Sequence, residues 1–240
     1  MKPIFAGTVQ LSQAALFVRR YGKSGPHLVI VHGGPGWDHS FFIPYLAKLS
    51  QIAQLTFFDL RGCGRSQRMP SLEGYTVETV VGDMRELLDW LEIPSCALLG
   101  FSFGGRIALR YTHRHPKTVE KLILASTTAY EDFQADLEAW DEYSVRYDMP
   151  TRKQVQDIWD SETLTSAEKS RQLMETLIML DIYDEARIPQ ARETMRKIRY
   201  TGEWLRAWQS GALTIPTDVD YGQRLKELAT PTLILHGEKD

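Results

Sequence analysis

Cysteine is scarce in this 240-residue chain, which has two: Cys63 in a Gly-rich stretch and Cys96 at the head of an apolar run. Two thiols cannot build a disulfide framework, and they lack metal-site spacing, so the chain reads as a protein of a reducing compartment. Charge of one sign is equally scarce. The formal net charge is −3 and no long basic run occurs, which removes the electrostatic basis for binding nucleic acid or an anionic membrane surface. Long apolar runs are missing as well. The first twenty residues hold only Ala14-Ala15-Leu16-Phe17-Val18 before Arg19 and Arg20, too short for a signal-peptide core or a membrane span. There is no internal repeat and no low-complexity tract. These absences leave the expectation of a cytoplasmic globular protein acting on a small molecule or short peptide.

The most informative stretch that is present runs from Leu98 to Gly105. Gly100-Phe101-Ser102-Phe103-Gly104 fits G-x-S-x-G, a strained strand-to-helix corner that lifts a serine out of a sheet, with glycines where a Cβ would collide. An ordinary Gly-rich turn is the alternative. The flanks favour the corner: Cys96-Ala97-Leu98-Leu99 is a short apolar run, and Phe103, Ile107, Ala108 and Tyr111 follow at helical spacing. A helix starting there directs free N–H groups at Ser102, the candidate nucleophile, where they can stabilise an oxyanion.

Other segments supply the frame. Residues 5–11 and 14–21 read as two antiparallel strands, and His27–Val31 as a central parallel strand buried on both faces. That strand ends in His32-Gly33-Gly34-Pro35-Gly36. A glycine-rich loop at a strand's carboxyl end lets backbone N–H groups approach a ligand, and Gly34 is the natural second oxyanion donor beside Phe103. Gly33 and Phe101, next to them, are candidate substrate contacts. Helices are expected over 41–50 and 75–92. The second has a stripe of Val77, Val80, Val81, Met84, Leu87, Leu88 and Leu91, with Glu78, Asp83, Glu86 and Asp89 outside it. Between the two helices, Leu55–Phe58 is a strand running into Asp59-Leu60-Arg61-Gly62-Cys63-Gly64-Arg65-Ser66. There Asp59 and Arg61 read as an ion pair bracing the loop. Lys121–Ser126 is a further strand. Residues 129–221 are rich in charge and tryptophan, with helical stripes and no credible strand, and read as a helical cap in which Trp140, Trp159, Trp204 and Trp208 serve packing. A short helix over 222–229 and a buried strand over 231–235 close the series before His236-Gly237-Glu238-Lys239-Asp240. The fold class expected is α/β, a mostly parallel sheet with helices on both faces. Its core is residues 1–128 and 222–240, and its cap 129–221.

HGGPG after one strand, DLRGCGRS after the next, GFSFGG at the corner and HGEKD at the last strand together resemble the α/β-hydrolase fold, and most of all its proline iminopeptidase branch. The resemblance runs through residues 27–128 and 231–240. It implies a serine hydrolase needing no cofactor or metal. Ser102 would be the nucleophile, Phe103 and Gly34 the oxyanion donors, and Asp240 the acid that orients a catalytic histidine. An aminopeptidase also needs a carboxylate for the substrate's ammonium group, with Glu138, Asp141, Glu142 and Glu203 as candidates. An esterase or lactonase, and a non-catalytic ligand-binding protein of the same fold, are the other readings. The fold's chain order is Ser, acid, His, yet no histidine follows Asp240. His113 and His115 lie about 16–20 Å along the helix from Ser102, at 1.5 Å per residue. His27 opens its strand at the wrong edge, and His32 and His236 sit in H-G turns with structural roles. His39 is the one movable candidate. The expectation is therefore that the fold's C-terminal helix-strand-helix portion is absent here, and that a companion segment or chain carries the histidine and covers an otherwise exposed sheet edge.

Overall fold

A computed structural model of the chain describes residues 2–34, 36–129, 140, 143–211, 223 and 225–238. Seven strands, β1 (Phe5–Gln10), β2 (Ala15–Tyr21), β3 (His27–Val31), β4 (Gln54–Phe58), β5 (Cys96–Phe101), β6 (Val119–Ala125) and β7 (Thr232–Leu235), form one sheet in the order β1-β2-β4-β3-β5-β6-β7. The β1/β2 and β2/β4 pairs are antiparallel, and all the others are parallel. After β3 the chain goes to β4 on one side, then returns to β5 on the other. The crevice beyond the carboxyl ends of β3 and β5 is thus a topological switch point, where open α/β sheets bind ligands.

Successive residues of the central strands alternate between two apolar clusters, as a sheet covered on both faces requires. Val29, Val31 and Leu98 join one cluster with α2 (Val77–Trp90) and α3 (Phe103–Arg114), while Leu28, Ile30 and Leu99 join Phe42, Leu46 and Leu49 on the other face. Helix α2 starts where expected because Thr76 and Thr79 form a reciprocal capping box. The helix expected over 41–50 is a single α-turn, α1 (Ile43–Leu46), between 3₁₀ turns at His39–Phe42 and Ala47–Gln51. Pro44 lacks the N–H a longer helix would need there.

Among the described residues of 129–221 there are five α-helices and no strand: α4 (Tyr143–Arg146), α5 (Met149–Asp160), α6 (Ser166–Asp181), α7 (Ile188–Met195) and α8 (Glu203–Gln209). Helix α8 is more than a cover, since Trp204 and Ala207 are fully buried in the main apolar cluster. Trp159 meets Trp208 edge-on at 5.8 Å, and Trp208 remains exposed. Of the helix expected over 222–229, Gln223 and Leu225 are helical and Lys226 and Glu227 form a turn, with Lys226 N–H donating to the Gln223 carbonyl and Leu228 N–H to the Leu225 carbonyl; residues 222 and 224 lie outside the described residues. Strand β7 corrects a second expectation. It pairs with β6 as foreseen, but Leu233, Ile234 and Leu235 are exposed rather than buried, because no described residue pairs with its outer edge or covers its faces. No helix among the described residues is long and apolar enough to cross a membrane.

Candidate functional site

Ser102 stands at the switch point with φ 51° and ψ −122°, a conformation L-residues rarely adopt, between the end of β5 and the first turn of α3. Its neighbours over-determine that geometry. Ser102 N–H donates to the Ala125 carbonyl at 3.0 Å, and its carbonyl accepts from Gly105 N–H at 2.8 Å and from the Thr127 hydroxyl at 2.7 Å. The hydroxyl is left over: it does not cap α3, and it has no hydrogen bond among the described residues. Glycine is required around it. A Cβ on Gly104 would lie 2.3 Å from the Val31 carbonyl oxygen, and one on Gly100 would lie 2.4 Å from the Gly104 carbonyl oxygen. These contacts seat the amino end of α3 against β3, so the N–H of Phe103 sits at the helix terminus beside Ser102.

The loop after β3 packs on the same corner. A Cβ on Gly33 would be 2.9 Å from the Phe101 ring and 3.1 Å from the Ser102 Cβ, so Gly33, Phe101 and Ser102 are brought together as expected. Gly34 follows with φ 104°, against the Trp37 ring. His32 sets the plane of the Gly33–Gly34 peptide. Its Nε2 accepts from Leu60 N–H at 3.1 Å, which leaves the proton on Nδ1 to donate to the Gly33 carbonyl at 2.7 Å. In a trans peptide the N–H points opposite to the C=O, so Gly34 N–H is turned away from the imidazole. Burial lowers the His32 pKa and keeps the ring neutral, the form both bonds need.

Beneath this loop the sequence-based ion pair is replaced by two others. Asp59 bonds to His39 rather than to Arg61: its Oδ1 accepts from His39 Nδ1 at 2.5 Å and from His39 N–H at 3.1 Å, and its Oδ2 from Arg65 N–H at 2.9 Å. Burial alone would raise the Asp59 pKa, but the His39 bond and charge hold it below the ordinary value. His39 is fully buried against Phe17 and Phe57, so it is fixed rather than movable. Arg61 forms a bidentate pair with Asp83 at 2.7 and 2.6 Å. Asp83 therefore points inward from α2 instead of lying on its outer face, and burial raises its pKa despite Arg61. Asp59 and Arg61, two residues apart, thus take partners 20 and 22 positions away.

The cap reaches this machinery at several points. Asp38 accepts from Arg199 N–H at 3.1 Å, Gly36 accepts from Thr201 N–H at 3.0 Å, and Trp204 Nε1 donates to the Arg61 carbonyl at 2.8 Å. The Trp204 ring also meets the Phe103 ring edge-on at 5.3 Å. Aromatic side chains line the approach, with Phe101 stacked on Phe41 and Phe41 against Trp37. Asp240, Glu138, Asp141 and Glu142 lie outside the described residues. Glu203 is half-buried and engaged, accepting from Gly202 N–H and pairing with Arg68 and Arg206 at 3.8 Å each. His113 and His115 sit at the far end of α3, and His236 is exposed after β7. Among the described residues no group of three His, Cys, Asp or Glu is placed to hold a metal ion. Thr127, Asp83 and Trp37 carry parts of the site that sequence reading missed. None of them stands in a spacing that would have marked it.

A family model described as the alpha/beta hydrolase fold matches residues 26–240. The AB hydrolase superfamily protein YisY of Bacillus subtilis is 30% identical over 227 residues, covering 94% of this chain and 78% of that protein. A proline iminopeptidase of Lactobacillus acidophilus is 39% identical over 115 residues, which is 46% of this chain and 38% of the peptidase. Among solved structures, the enol-lactonase from Burkholderia xenovorans superposes with a TM-score of 0.69 at 20% identity, covering 97% of this chain and 81% of its own.

Proposed function

We propose, from the premise that this chain belongs to the alpha/beta hydrolase fold family, that it is a serine hydrolase acting on a small amide or ester through an acyl-enzyme. The observation that carries this reading is the Ser102 corner: a serine held at φ 51° by three hydrogen bonds, with its hydroxyl unspent. Proteins keep such strain where it performs work.

In the mechanism that follows, Ser102 Oγ bonds to the substrate carbonyl carbon while its proton passes to a histidine base. The N–H groups of Phe103 and Gly34 hold the resulting oxyanion. His32 acts on the second donor by fixing the peptide plane. Collapse of the tetrahedral intermediate breaks the C–N or C–O bond, and the histidine returns the proton to the leaving group. Water then repeats the sequence on the acyl-enzyme, releasing the acid and restoring Ser102. Asp240 orients the histidine. His32 and His39 are committed to buried structural bonds, and His113 and His115 stand at the far end of α3. The base is accordingly assigned to a companion segment or chain.

The proline iminopeptidase resemblance favours an amide of a short peptide. One observation favours the esterase or lactonase reading: Glu203, the one described candidate for an ammonium anchor, already faces Arg68 and Arg206, while the approach is aromatic. The enol-lactonase neighbour fits that reading. Intact-mass measurement after exposure of the protein, together with the segment or chain that carries the base, to a fluorophosphonate tests the core claim, with an adduct expected on native Ser102 and none on Ser102→Ala. No adduct on either, together with saturable ligand binding, would leave a non-catalytic binding protein. Turnover of p-nitrophenyl butyrate without turnover of prolyl-naphthylamide separates ester from peptide substrates.

A further inference from the structure

The cap contains a second cleft, away from Ser102, of about 550 Å³. It is lined by Gln154 of α5, by Arg171, Gln172, Glu175 and Thr176 of α6, and by Arg192, Met195 and Arg196 of α7 and its C-cap. Small-molecule sites of this volume are as a rule mostly apolar. Here only Met195 is apolar, and three guanidinium groups face one carboxylate.

The arrangement is not explained by the helices' own needs. Arg171 pairs with Glu175 at 3.0 Å along α6. Arg192 and Arg196, one turn apart, form no ion pair among the described residues. Like charges at that spacing destabilise a helix, and a favourable dipole interaction at the C-cap accounts for one cation, not for three converging on a cleft. Beside them the Tyr200 hydroxyl is buried without a hydrogen-bond partner, with Glu175 and Arg171 the strongest charges acting on it. Met195 forms the boundary with the site already described, since it also belongs to the apolar cluster of Trp37 against which Phe41 and Phe101 pack.

We infer that this cleft is a binding site for a soluble phosphate monoester. Three arginines and one glutamate leave a lining charge of +2, which matches the charge of about −2 that a phosphate monoester approaches at pH 7. Guanidinium forks suit phosphate oxygens bidentately, and Gln154, Gln172 and Thr176 offer neutral donors and acceptors to the rest of a polar ligand. The volume exceeds what inorganic phosphate would fill, so the group is carried on a small polar body such as a sugar.

Isothermal titration of the full chain with ribose 5-phosphate, and separately with inorganic phosphate, tests this at 50 mM salt. The expected result is saturable 1:1 binding of ribose 5-phosphate, weaker binding of phosphate, and a loss of tenfold or more in affinity in the Arg192→Gln/Arg196→Gln variant. Both side chains are exposed, so the variant should unfold at the native temperature, a point checked by circular dichroism. Arg187→Gln, outside the cleft, should bind as the native chain does. Ser102→Ala should also bind normally, which keeps this inference separate from the hydrolase reading. No saturable binding, equal affinity in the double variant, or binding only to phosphatidic acid vesicles would overturn it.

Discussion

Replacing Ser102 by glycine should make this protein more stable while removing the proposed nucleophile. A residue with a Cβ held at φ 51° and ψ −122° carries strain of about 1–3 kcal/mol, and glycine adopts that conformation without it. Against this, glycine adds about 0.5–1 kcal/mol of chain entropy to the unfolded state. The net gain is about 0–2.5 kcal/mol, which at roughly 2–4 °C per kcal/mol for a chain of this size raises Tm by up to about 10 °C. Ser102→Ala is the control that isolates the cause. It keeps the Cβ and the strain and loses a hydroxyl that has no partner among the described residues, so its stability should lie within about 0.5 kcal/mol of native. Thermal and urea unfolding of the three chains, with fluorophosphonate labelling alongside, gives both readouts. Ser102→Gly less stable than Ser102→Ala would refute the argument that the backbone here is strained.

Other expectations rest on separate contacts. Asp83→Asn leaves Arg61 buried beside a neutral partner and should cost about 3–5 kcal/mol, with a double-mutant cycle to Arg61→Met showing strong coupling; additive losses would count against the pair. Gly104→Ala places a Cβ 2.3 Å from the Val31 carbonyl oxygen, where only backbone could yield, so it should destabilise by at least about 1–3 kcal/mol and abolish labelling; native-like stability would show that the α3–β3 contact is looser. Burial lowers the His32 pKa in the folded chain, so below pH about 6.5 the unfolded state binds the extra proton and stability falls as pH falls through that window, at up to about 1.4 kcal/mol per pH unit. His32→Gln should flatten that part of the stability–pH curve, and an unchanged slope would show that the ring is protonated in the fold. Trp204→Phe keeps the ring but loses the bond to the Arg61 carbonyl, and should lower kcat more than it raises KM on an ester substrate. An effect confined to KM would assign Trp204 to substrate contact.

How much of this was legible beforehand depends on the range over which each feature is decided. The Ser102 corner, the glycine loop after β3, the α2 stripe and the strand series were readable because each is set by residues a few positions apart, through hydrophobic period, steric demand for glycine or capping. The alternation of strands and helices also implied a mostly parallel sheet, while the order of its strands appears only in the fold. Phe101 adjoins Ser102 in the chain, whereas Gly33 meets both only because β3 pairs with β5.

What remained hidden concerns partners distant in sequence. Asp59 and Arg61 sit two residues apart yet point to opposite sides of their loop, so each pairs with the charge its own side offers, His39 for one and Asp83 for the other. Hydropathy places Asp83 outside, because a carboxylate is buried only when a cation meets it, and nothing in α2 announces Arg61. Trp204 belongs to the main core, and Thr127 locks the Ser102 carbonyl, through contacts across 143 and 25 residues. Strand β7 has the composition of a buried strand and lies exposed, because burial is conferred by whatever packs on a strand and not by the strand itself. Sequence alone determined which elements form and where Ser102 stands. Tertiary structure decided which charges meet, which side chains hold the glycine loop after β3, and which apolar surface is left open, since those depend on chain segments brought together only by folding.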